Sequence, residues 1–133
     1  MTKFYNSTFP IDLNNYLNFV LKNDFFGKNE LVIQLNETKI SHIETDLGWK
    51  LFVFDLDKKN VPILPIEFNK KIDTILVDLG IKDSVYLLFA KHGYILECEF
   101  CNLSLENNFE TEFNKADYIK NYMDIKGKKN YKI

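Results

Sequence analysis

Cys98 and Cys101 enclose Glu99 and Phe100 at the spacing of a redox or metal-binding pair. Such a redox pair holds its thiols together at a helix start. The segment 94–101 reads as a strand, which sends residues three apart to opposite faces. With no second cysteine pair and no nearby histidine to complete a tetrahedral set, the spacing predicts buried free thiols. His42, Glu44 and Asp46 alternate on one strand face, an arrangement that could ligate a metal or act as an acid–base pair. Polar residues on the wet side of a strand give the same pattern. Residues 55–60 begin like a calcium loop, but Asn60 stands where that loop needs glycine and Ile66 where it needs a bidentate glutamate, so they read as a turn. Glycine-rich phosphate loops, a nucleophile elbow and an HExxH pair are all absent from the sequence, which leaves nucleophilic, phosphoryl-transfer and zinc-hydrolase chemistry without local support. The expectation is a protein that is not an enzyme and needs no cofactor or metal. The alternative is a small enzyme or metal-dependent binder using His42 and Glu44.

The acidic residues form a different kind of constellation. Residues 97–124 hold seven acids (Glu97, Glu99, Glu106, Glu110, Glu112, Asp117, Asp124) against two lysines, after which Lys126, Lys128, Lys129 and Lys132 reverse the sign. Strands over 84–90 and 94–101 flank His92-Gly93, a tight hairpin turn. Pairing Lys91 with Tyr94 would place Val85, Leu87 and Phe89 on one face with Leu96, Cys98 and Phe100, and Tyr86 on the other with Glu97 and Glu99. Glu110 and Glu112 extend the acidic row if 109–113 pairs alongside. Neighbouring like charges on a sheet repel, so the row destabilises the isolated protein unless a cation or basic partner meets it. Acids beside tyrosine combine electrostatic steering with rigid apolar contact. The sequence therefore nominates Tyr86, Glu97, Glu99, Glu110 and Glu112 as a partner-binding face, with Trp49, Asp55 and Asp57 as a second patch.

The elements that must position these residues follow from periodicity. Asp12, a stripe of Leu13, Tyr16, Leu17, Val20 and Leu21, and Gly27 predict a first helix over 12–26, capped by the aspartate and stopped by the glycine. Phe68, Ile72, Ile75, Leu76 and Leu79 between Pro65 and Gly80 predict a second over 66–79. Strands are expected over 31–35, 39–45 and 49–55, with 57–60 as a turn. Residues 102–113 fit either a helix or a strand pair turning at Asn107-Asn108; the strand pair is preferred, and it requires a bulge or bend near Cys101-Asn102. A short helix over 115–123 closes the order. A shift of 55 residues superimposes the two helical stripes, raising an internal duplication. The fold class expected is α+β, a single domain over 1–125 with an antiparallel sheet of five or six strands and two or three helices packed on it, followed by a short basic tail over 126–133.

A chain of 133 residues matches one domain with a sizeable core. All 17 basic residues are lysines, so the planar fork with which arginine grips phosphates and base edges is missing. The acidic segment before the lysine-rich tail would repel a phosphate backbone, and nucleic acid is not an expected partner. The N-terminus lacks the pattern of a secretory signal, no apolar run reaches membrane-spanning length, and two cysteines are too few for a disulfide framework; together these predict a cytoplasmic protein without a membrane partner. A small, cytosolic, motif-free α+β protein with an acidic, aromatic surface resembles the immunity proteins of bacterial toxin systems, including those of contact-dependent growth inhibition. The resemblance is one of class, with no motif from which a functional residue could be carried over. It implies stoichiometric binding to a cognate toxin, often a cationic nuclease. A phage-encoded inhibitor of a host defence protein would share every one of these features.

Overall fold

The computed structural model describes residues 3–65, 74–106, 109, 113 and 116–121. Glu110, Glu112, the Asn107-Asn108 turn, residues 66–73 and the basic tail lie outside them. The described chain is an α+β domain: two helices, then a six-stranded antiparallel sheet. Among the described residues no helix is long and apolar enough to cross a membrane.

Helix α1, Ile11–Val20, buries the expected stripe of Leu13, Tyr16, Leu17 and Val20. It is shorter than the sequence suggests, and Pro10 rather than Asp12 is its N-cap residue. Asp12 sits in the first turn, where its carboxylate accepts from Leu13 N–H (2.9 Å) and from Lys50 Nζ (2.8 Å). Gly27 does not stop this helix. With φ of 86° it is the N-cap of α2, Lys28–Glu37, a left-handed position that glycine takes without steric cost.

The strand expected over 31–35 is therefore a helix. Leu31, Gln34 and Leu35 are buried together, the spacing of a helical face; a five-residue apolar run alone does not distinguish the two periods. Gln34 is a clamp. Its Nε2 donates to the carbonyls of Pro62 (2.7 Å) and Gly93 (3.0 Å), and its Oε1 accepts from Ile95 N–H (2.9 Å), tying α2 to a hairpin turn with every amide atom satisfied.

The strands are β1 (Thr38–Asp46), β2 (Trp49–Leu56), β3 (Thr74–Ile81), β4 (Ser84–Lys91), β5 (Tyr94–Asn102) and β6 (Tyr118–Asn121), in the spatial order β1-β2-β5-β4-β3-β6. A 3₁₀ turn, Lys58–Asn60, occupies the place predicted for a turn, and Asp57 caps it by accepting from Lys59 N–H. Where they are described, two expected helices give strands: 74–79 of the second lies in β3, and Tyr118–Asn121 of the last is β6. In β3, Leu76 is an extra residue between the pairs Ile75–Phe89 and Val77–Leu88. This bulge buries Leu76, Val77 and Leu79 together, and such broken alternation mimics the spacing of a helix. Most of the second stripe on which the suggested duplication rests, 67–73, lies outside the described residues.

One face of the sheet carries Phe52 and Phe54 from β2, Cys98 and Phe100 from β5, and Tyr86 and Leu88 from β4; these pack with α1 and α2 into the core. Its centre is aromatic. The Tyr16 ring meets Phe100 and Phe113 edge-on at 5.6 Å, and Tyr86 meets Phe100 at 4.7 Å and Phe113 at 4.9 Å, the geometry that aligns ring edges with ring faces.

Candidate functional site

The opposite face of the sheet is assembled by register. Across β1, β2, β5, β4, β3 and β6 one row reads Glu44, Leu51, Glu99, Leu87, Asp78, Lys120. The row beside it reads Asp46, Trp49, Cys101, Val85, Gly80, Tyr118, and the third His42, Val53, Glu97, Phe89, Ile75. Six strands at the usual spacing make this face roughly 24 Å wide. Trp49, Val53, Val85, Leu87 and Phe89 are half-buried, as are Glu97, Glu99 and Asp78. Apolar and acidic side chains therefore interleave across the sheet.

This arrangement corrects the sequence reading at one strand. Lys91 does pair with Tyr94, but Leu96 is an extra residue between the pairs Ala90–Ile95 and Phe89–Glu97. A one-residue shift turns every β4 side chain over. Leu87 now faces Glu99 and Phe89 faces Glu97, whereas Tyr86 pairs with Phe100 and is fully buried. Tyr86 is thus a core residue and leaves the proposed surface. Glu97 and Glu99 keep the face assigned to them. Trp49 joins them, because its Nε1 donates to Glu99 Oε2 at 2.6 Å. Asp55 and Asp57 are exposed near the other end of β2, six and eight residues along from Trp49, so the second patch divides.

The sequence missed Leu51, Val53, Leu87, Phe89 and Asp78. A signal for β2 was present: 49–54 is apolar on both faces apart from Lys50, which marks a strand with apolar side chains on each side. Tyr118 covers Gly80, since a Cβ there would lie 2.1 Å from the ring, and its hydroxyl donates to Asp78 at 3.2 Å.

The other candidates resolve into local structure. Ser41 Oγ lies 3.2 Å from His42 Nδ1, and His42 Nε2 lies 2.9 Å from Glu44 Oε2. This string runs along an edge strand with about half of each partner in solvent (53% and 52%), where such a pair contributes little to stability. Among the described residues, no three His, Cys, Asp or Glu side chains gather as a metal-ligand set. Cys98 and Cys101 are free thiols, Cys98 in the core and Cys101 on the open face. Burial pushes the Cys98 thiol well above its ordinary range, with the charges of Asp12, Glu99 and Glu97 adding to it. Cys101 is raised by burial and then by the carboxylate of Glu99, both as a charge and as a hydrogen-bond partner. Raised thiols are poor nucleophiles at neutral pH. No protein-family model, curated protein or solved structure matches the chain.

Proposed function

We propose that this protein neutralises a basic protein effector, in the manner of a toxin-system immunity protein, by stoichiometric binding through the open face of its sheet. The observation that supports this is the interleaving of Glu44, Glu97, Glu99 and Asp78 with Trp49, Leu51, Val53, Leu87 and Phe89 on adjacent strands. The acids offer a basic partner complementary charge and steer its approach, and the apolar side chains supply contact area that needs little ordering, because strands hold them in place. Trp49, fixed by its bond to Glu99, is the natural anchor. Lys120 stands at one margin of the three rows and His42 at the other.

The test is capture from the source cell with the purified protein as bait, followed by titration of the captured partner's activity. One equivalent should suffice for inhibition. Leu87→Lys and the pair Glu97→Lys with Glu99→Lys should weaken capture by about 100-fold or more while leaving the denaturant midpoint close to wild type. Wild-type affinity in both variants would reject this face.

A further inference from the structure

On the helix side of the molecule, opposite the open sheet face, α1, α2 and the N-terminal segment flank an open cleft of about 720 Å³. Its apolar wall is Phe4, Leu21 and Val32, and Lys3, Lys22 and Lys28 lie around it. The lysines are held differently. Lys3 and Lys22 are exposed, and among the described residues neither has an ion-pair partner. The Lys28 side chain is only 17% exposed, and its described acidic partner is Asp24, a fully exposed side chain 3.5 Å away. Asn18 gives its carbonyl oxygen to Phe4 N–H, which leaves its NH₂ group as a donor. An apolar wall, three cations and an amide donor, with Asp24 the acid paired to them among the described residues, favour an anionic over a cationic occupant.

We infer that this cleft binds a small amphipathic anion, with its acyl or aromatic body against Phe4, Leu21 and Val32 and its carboxylate or other acidic head at Lys22 and Lys28. The volume falls within the range of small-molecule sites and suits a medium-length chain. Because the site is independent of the open face, success or failure of partner capture leaves this inference unaffected.

Decanoate and decyltrimethylammonium, which share an apolar tail and differ in the sign of the head, are the probes. Titrated below their micelle thresholds and followed by amide NMR, decanoate should saturate one site and shift the amides of Asn18, Leu21, Lys28 and Val32, and decyltrimethylammonium should not. Lys22→Gln, at an exposed position, and Lys28→Gln should each weaken decanoate binding by about tenfold, the loss of a charge-assisted contact. Val32→Trp should fill the cleft and abolish the shifts. The inference is overturned if decanoate gives no saturable shift, if the cationic probe binds as tightly, or if the lysine variants retain wild-type affinity.

Discussion

At the scale of single residues, the chemistry legible in the sequence was that of exclusion. The Cys98-x-x-Cys101 spacing was separated from a redox pair by strand geometry and from a metal pair by the lack of further ligands, and the two thiols do point to opposite faces of β5. The partnerships that shape the open face were not legible. Trp49 and Glu99 are 50 positions apart, and Gly80 and Tyr118 meet only because β6 returns beside β3. Gly80 shows what such a partnership costs to disturb. It accommodates the Tyr118 ring, so Gly80→Ala forces the ring away and weakens its bond to Asp78. The substitution should destabilise the protein by about 1–3 kcal/mol in chemical denaturation. In a Tyr118→Ala background the same change should be close to neutral, because alanine suits a strand at least as well as glycine. Equal costs in the two backgrounds would show that the ring does not occupy this space.

At the scale of elements, the misreadings of β3 and β4 share a cause. Three bulges, at Ser41, Leu76 and Leu96, each insert one residue into a strand and break the alternation from which strands and their faces are read. Leu76 made β3 resemble a helix. Leu96 reversed β4, whereas the hairpin turn itself, with His92 at φ 55° and Gly93 at φ 88°, was identified correctly from His92-Gly93. Strands β1, β2 and β5, long and rich in β-branched or aromatic residues, were found close to their true limits. The reversal is testable by two neighbouring truncations in β4. Leu88 is fully buried among the core residues, so Leu88→Ala should cost about 2–5 kcal/mol. Leu87 is half-buried on the open face, and Leu87→Ala should cost under about 1.5 kcal/mol. The opposite ranking of denaturant midpoints would restore the unbulged register and put Tyr86 back beside Glu97 and Glu99.

At the scale of the whole molecule, the class and layering followed from the count of amphipathic segments, although three segments changed type, because a single sheet with helices on one face is the ready solution for such a set. That layering also determines how global stability responds to pH. The helices seal one face so completely that Tyr16 and Cys98, both acids when they ionise, are buried within it. Burial is the main reason each holds its proton well beyond the ordinary range; for Tyr16 the charges of Cys98 and Asp78 add to it. The unfolded chain releases these protons near the ordinary thiol and phenol values of about 9 and 10, while the fold still retains them. The unfolded state then binds fewer protons than the native state, so stability falls as pH rises. The contribution is intact below about pH 9. Above that it should decline by about 1.4 kcal/mol per pH unit for each group whose proton the fold retains, until the folded-state values are reached. Urea denaturation from pH 7 to pH 11 measures this slope, and Cys98→Ala provides the control. That variant starts from lower stability because it leaves a cavity, and between pH 9 and pH 10 its curve should fall less steeply than wild type, the remaining slope coming from the Cys101 thiol, which the fold also holds above its ordinary value. A wild-type curve with no steeper fall between pH 9 and pH 10 than that of Cys98→Ala would mean that the thiol reaches water, and that the helix layer is not sealed over β5.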